Sequence, residues 1–162
     1  MSIRLRTTLK AWPAIFVIAV ALSFLTQQVA KLFGIDLPDQ AQVEFVKRYA
    51  GWNLTFAFIV VQVVLLLPVI EEVVFRWLIW MLPTRLTPLG RHSLPLAAVS
   101  SCIFTAVHYI SQPFPDSAFI ALFFFGLAQC WLYRRTGWLW CAMLNHTLFN
   151  LTNLVLLFVL PG

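Results

Sequence analysis

Residues 69–80, VIEEVVFRWLIW, set two adjacent carboxylates, Glu71 and Glu72, and one guanidinium, Arg76, inside an almost wholly apolar run. A charged side chain at the centre of a bilayer costs roughly 2.5 to 3.5 kcal/mol even on the gentlest scale, so three on one segment require compensating partners. The surrounding composition says what kind of protein supplies them. Of 162 residues, 61% are hydrophobic and only 10% charged, against ~25% charged in a typical soluble domain. The expectation is an all-α, polytopic integral membrane helix bundle forming a single domain over residues 1–162.

Five apolar segments read as membrane helices, at about 11–30, 53–82, 95–111, 117–133 and 138–160, judged against the ~20 residues needed to span. The first is read as a retained helix, because LTQQVAKLF lacks a small-x-small cleavage site. The net charge of +5 is not a nucleic-acid footprint, since the basic residues flank apolar spans. Arg4, Arg6, Lys10, Arg85, Arg91, Arg134 and Arg135 alternate with loops holding Lys31, Lys47 and Arg48 beside Asp36, Asp39, Glu44 and Asp116. The positive-inside rule then puts the N-terminus in the cytoplasm and the C-terminus outside, in a membrane expected to be a prokaryotic inner membrane. Most tryptophans gather near the inner ends as interfacial anchors, with Trp77 and Trp80 equally readable as packing. In the outer loop, Asp39 is placed to cap a short amphipathic helix ending near Gly51. Cys102, Cys130 and Cys141 show no CxxC spacing and read as small core residues.

The spans contain few other strongly polar groups: His108 in IFTAVHY, and Asn145, His146 and Asn150 in LNHTLFN. Glu72 and Arg76 lie four apart in the acid-first order that favours an ion pair. Glu71 points about 100° away from Glu72 and lacks that partner, which leaves it as a candidate proton acceptor. At about 1.5 Å per residue, Glu71 lies roughly 16 Å, His108 roughly 20 Å and His146 roughly 12 Å from the cytoplasmic helix ends. One layer accommodates all three, and it is expected to open more readily to the cytoplasm. Each residue also has a structural reading, the ion pair as a helix-orienting device and Asn150 as interhelical glue. Together a carboxylate, two histidines and an amide suit activation of water and stabilisation of an oxyanion. HExxH, G-x-S-x-G and an intramembrane aspartate pair are all absent from the sequence, which leaves Glu plus His.

Three motifs in order, EEVVFR (Glu71 to Arg76), FTAVH (Phe104 to His108) and HTLFN (His146 to Asn150), resemble the CPBP intramembrane proteases. That family includes the CAAX prenyl endopeptidases and bacterial abortive-infection or bacteriocin-immunity proteins. The resemblance spans about residues 65–155. It implies a glutamate-dependent endopeptidase in which Glu71, with His108, activates a water, and His146 and Asn150 form the oxyanion hole. Glu72, Arg76 and Phe104 would be supporting residues. A metal is not favoured, because Asn150 suits an oxyanion donor better than a ligand; a zinc reading would use Glu71, His108 and His146. The implied substrate is a membrane-anchored protein or peptide reaching the site sideways from lipid, with its scissile bond in an unwound segment. The alternatives are a non-catalytic membrane adaptor or immunity protein, and a proton-coupled carrier, against which the lack of a visible inverted repeat counts.

Overall fold

The computed structural model describes residues 1–38, 41–51, 53–86, 93–110 and 114–159. Among the described residues there are six helices and no strand: α1 (Ile3–Leu32), α2 (Ala41–Arg48), α3 (Leu54–Leu86), α4 (Ser93–His108), α5 (Phe119–Thr136) and α6 (Leu139–Val159). By length and composition α1, α3 and α6 can each cross a membrane, while α4 is a shorter apolar helix. The all-helical membrane bundle expected from composition is the observed architecture.

The chain alternates between two ends. At one end, called the lower, the start of α1 meets the α5–α6 turn, where the Arg4 guanidinium lies 4.2 Å over the Trp138 ring. There the Trp80 indole N–H also donates to Ser93 O at 2.8 Å, tying α3 to α4. Trp80 is therefore a packed residue, 2% exposed, whereas Trp77 is 40% exposed on the outside of the bundle. At the upper end lie α2, the α4–α5 connection and the end of α6, with Phe56 and Phe158 packed edge-on at 5.7 Å. The expected amphipathic helix of the outer loop is α2; Asp39 and Trp52, singled out in the sequence, lie outside the described residues.

Local chemistry sets the helix ends. Asn53 Oδ1 accepts from Phe56 N–H at 2.8 Å and starts α3. Asp116 Oδ1 accepts from Ala118 N–H at 2.8 Å and from the Tyr109 hydroxyl at 2.6 Å, so α5 begins at Phe119. Gly137, at φ 70°, donates to Tyr133 O at 2.8 Å and closes α5 in the left-handed conformation that glycine adopts without penalty.

Two local features govern how the neighbouring helices sit against α3 and α5. Within α3, residues Gln62–Leu66 and Glu72–Met81 adopt a wide π-helical register, with Leu67 N–H donating to Gln62 O and Leu82 N–H to Trp77 O. Such i→i+5 segments are rare and tend to occur at functional sites. Between α4 and α5 the backbones approach at Gly126, where a Cβ would stand 2.9 Å from Ser101 Cβ. Small residues allow close contact where lipid offers no hydrophobic driving force. Gly126→Ala is therefore expected to lower stability in detergent by about 1–3 kcal/mol, the usual cost of overpacking. Thermal unfolding checks this, and adding Ser101→Gly, which removes the two nearest atoms, Cβ and Oγ, is expected to recover part of the loss.

Candidate active site

The site is built on α3, α4 and α6. Glu72 and Arg76 are fully buried. Arg76 Nε lies 3.2 Å from Glu72 Oε2, an ion pair within one helix. The other oxygen, Glu72 Oε1, lies 2.8 Å from His146 Nδ1. Glu71, one residue earlier, points elsewhere around the axis: its Oε2 is 3.5 Å from His146 Nε2 and its Oε1 is 4.0 Å from His108 Nε2. Two adjacent acids on one helix thus address opposite nitrogens of the same imidazole. The divergence expected from helical spacing makes this possible, since acids on one face would have met one edge of the ring.

Phe104 ties the cluster together. Its ring lies 4.4 Å from Arg76 Cζ, 4.5 Å from the His108 ring and 6.2 Å from the His146 ring. It is fully buried and packs edge-on against Phe75 at 5.3 Å. The guanidinium is thereby held by a carboxylate and by an aromatic face, the latter worth ~2 kcal/mol when desolvated.

Hydrogen bonding assigns the protons. His108 Nδ1 lies 2.8 Å from Phe104 O, and a carbonyl only accepts, so this nitrogen donates. His146 Nδ1 faces a carboxylate oxygen and donates as well. In each neutral ring Nε2 then carries the lone pair, and both Nε2 atoms face Glu71, whose ionised oxygens also only accept. Three acceptors converge with no donor among them. A water molecule, with two protons to give, or a proton on one imidazole would satisfy the group.

Asn150 lines the same region, but one of its amide protons has a structural partner: Nδ2 donates to Val63 O at 2.9 Å. The wide register explains why. After the Leu67 to Gln62 bond, the next i→i+5 bond would need an N–H on residue 68, which is proline. Asn150 supplies the missing donor from α6 and leaves its second N–H free of that bond. Similarly, Ser100 Oγ donates to Phe75 O at 2.6 Å in the second wide stretch.

Glu71, His108, His146 and Asn150 line a cavity of about 510 Å³. On α3 the lining comprises Val63, Leu67 and Glu71, on α4 Phe104 and His108, and on α6 it begins at His146 and runs toward the upper end. Val43, Val46 and Lys47 of α2 lie over it, and Ala19, Val20 and Ser23 of α1 with Ala121, Leu122 and Phe125 of α5 supply the remaining walls. Toward the lower end Phe75, Leu132 and Cys141 form a packed core. The expected opening toward the arginine-rich end is thus corrected: the cavity lies in the upper half, beneath α2. The depth estimate, which carried no knowledge of the packed core, could not register this.

Glu71, Glu72, Arg76, Phe104, His108 and His146, predicted as site residues, converge, and Asn150 joins through the cavity. Sequence reasoning missed Phe125 and Phe149. The Phe125 ring stands 4.7 Å from His146 and 4.5 Å from Phe149, walling the imidazole. In a chain with 15 phenylalanines nothing local singles them out. It also missed Gln129, whose Nε2 donates to buried Asn145 Oδ1 at 2.8 Å beside His146; a glutamine within an apolar span was the available signal.

The model of the Rce1-like family, type II CAAX prenyl endopeptidases, matches residues 52–152. The chain belongs to this family. The matched span carries all three motifs and the converging side chains, and it makes the protein a CAAX-type membrane protease at the level of the family. Comparison with curated proteins and with solved structures gives no match. Glu71, His108 and His146 are chemically a zinc-type donor set, yet among the described residues no group of three or more His, Cys, Asp or Glu is arranged to hold a metal ion.

The Asn150–Val63 bond yields a prediction about stability. Asn150→Ala is expected to cost about 1–3 kcal/mol, the penalty for orphaning a screened carbonyl. In a Pro68→Ala background, where residue 68 regains its N–H, the same substitution is expected to cost about 1 kcal/mol less. A double-mutant cycle by thermal unfolding measures the coupling.

Proposed function

We propose that this Rce1-like protein is an intramembrane endopeptidase that cleaves a membrane-anchored protein or peptide with a water activated by Glu71 and His108. The observation that carries this reading is the convergence of three acceptors, Glu71 carboxylate and the Nε2 atoms of His108 and His146, at the inner end of the cavity. A water held there gives protons to Glu71 and to an imidazole and turns its lone pair toward a substrate carbonyl. Gaps of 3.5 and 4.0 Å suit bridging better than direct contact.

In the proposed reaction, Glu71 takes a proton from the water as its oxygen bonds to the scissile carbonyl carbon. Charge develops on the carbonyl oxygen, and the second N–H of Asn150 donates to it; His146 donates beside it in its imidazolium form, in which Nε2 carries a second ring proton while Nδ1 still donates to Glu72, leaving Glu71 and His108 as the acceptors that hold the water. When the C–N bond breaks, the leaving amine takes the proton that Glu71 received. Glu72 is a positioning residue: by accepting from His146 Nδ1 and pairing with Arg76 it fixes the ring orientation that presents Nε2 to the cavity. No step passes through a metal.

The apolar lining of Leu67, Leu122, Phe125 and Phe149 suits an extended apolar segment. A substrate must be unwound there, since a helical peptide keeps its carbonyls in its own hydrogen bonds.

Purified wild type and Glu71→Gln are to be compared on membrane-anchored peptides with and without a zinc chelator. The expected outcome is a loss of at least about 10²-fold in cleavage for Glu71→Gln, an unchanged thermal midpoint, and no effect of chelator on the wild type. Chelator-sensitive cleavage would restore the zinc reading, and equal behaviour of the two proteins would favour the adaptor. Glu72→Gln is expected to lose both cleavage and stability, because it leaves Arg76 buried without its counter-charge, a penalty of roughly 3–5 kcal/mol.

A further inference from the structure

Asn153 lines the cavity on α6 but takes no part in the chemistry proposed above. An amide carried this far into an apolar helix is costly unless its polar atoms are met. One amide proton is met: Nδ2 donates to Phe149 O at 3.2 Å, one turn below. Among the described residues Oδ1 has no partner, and the side chain is exposed. Oδ1 is therefore an acceptor available to the cavity.

Helical spacing puts Asn153 on the stripe that carries the site. His146, Asn150 and Asn153 follow one another at steps of four and three residues, and at about 100° per residue they fall within ~60° of one another around α6. Asn153 stands about 4.5 Å along the axis from Asn150. The facing walls offer a peptide nothing comparable: Val63 and Leu67 of α3, Ala19 and Val20 of α1, and Leu122 and Phe125 of α5 are apolar. Among the described residues, the other polar side chains of the lining outside the proposed machinery are Ser23, Lys47 and Ser117, none of them on the helix that carries Asn150. Lys47 already pairs with Glu44 at 3.5 Å.

An unwound segment brings its own demands. Its C=O and N–H groups have left the helical bonds that met them, and an apolar wall meets neither. Along one edge of an extended chain a C=O is followed by an N–H, and the pattern repeats every two residues, roughly 6.6 Å. A donor followed about 4.5 Å further on by an acceptor matches that edge. Asn150 offers the donor in its second N–H, and Asn153 offers the acceptor in Oδ1.

We propose that Asn153 is a substrate-binding residue whose Oδ1 accepts a backbone N–H of the extended segment while Asn150 donates to the scissile carbonyl, so that the peptide lies with one edge along α6. The identity of that carbonyl rests on the proteolytic reading above. Recognition of this kind reads the backbone: it takes an unwound segment whose side chains suit the apolar walls, and it rejects proline, which has no N–H, at the residue held by Asn153.

The probe is an acyl-anchored peptide of Gly, Ala and Leu residues in detergent micelles. Its binding to Glu71→Gln is compared with its binding to the Glu71→Gln, Asn153→Leu double variant, and each backbone amide of the peptide is replaced in turn by an ester, which removes one N–H. Asn153→Leu is expected to weaken binding about 3- to 10-fold, the worth of one hydrogen bond, with an unchanged thermal midpoint. One ester position is expected to weaken binding by a similar factor when Asn153 is present and to have no effect when it is Leu. In cleavage by the protein with Glu71 intact, Asn153→Leu is expected to raise KM by that factor and leave kcat within about twofold. No saturable binding of the peptide, no effect of Asn153→Leu, ester effects that are the same with and without Asn153, or a fall in kcat at unchanged KM overturns the proposal. Ester-sensitive, Asn153-dependent binding without any cleavage by wild type refutes the proteolytic reading, while the contact between Asn153 and the peptide edge stands.

Discussion

Glu72 is the residue on which the rest of the site depends. Its two oxygens do different work: one holds the Arg76 guanidinium within α3, the other fixes Nδ1 of His146 across the bundle. Neither contact suffices alone, since a carboxylate taken out of water is stabilised only when its charge and its lone pairs are both met. Arg76 supplies the charge, as an ion pair, and the imidazole N–H supplies the hydrogen bond. The consequence is geometrical. With Nδ1 held, Nε2 of His146 must face the cavity and Glu71, so a pair that offsets burial also sets the direction of the second ring nitrogen.

The same economy appears in the backbone of α3. A wide helical register leaves carbonyls whose usual partners are displaced or, at Pro68, absent. Side chains from α4 and α6 meet two of them, Ser100 at Phe75 O and Asn150 at Val63 O. In hydrocarbon no solvent repairs such defects, so donors from neighbouring helices are the available remedy. These bonds pin α3 to the helices carrying His108 and His146, linking the irregular stretch to the relative placement of the three motifs. Asn150 thereby serves α3 with one amide proton while the other is available to the cavity.

Polarity in the bundle is layered. The acids and imidazoles are separated from the lower end by Phe75, Phe104 and Leu132, and bounded on the α5 side by Phe125. Charge interactions are strengthened in such surroundings because little water competes for them. The lower end has a different character, with arginines at the surface and Trp80 and Trp138 used as contacts. The division gives the molecule one cavity-bearing end and one packed end.

Much of this was legible in residue order. The pairing of Glu72 with Arg76 comes from a four-residue spacing, and the separation of Glu71 from Glu72 comes from helical pitch. Membership of the bundle comes from apolar length. These are local properties of a single helix, so residue order alone carries them, along with the three motifs that meet in space. Contacts between helices settle the remainder. The two acids turned out to share one imidazole, Asn150 to replace a proline's missing N–H, and Phe125, indistinguishable by type among 15 phenylalanines, to wall His146. The cavity's direction belongs with these. Rise per residue gives depth along an axis, but whether space lies above or below that depth is set by how side chains from different helices fill it, and no single helix carries that information.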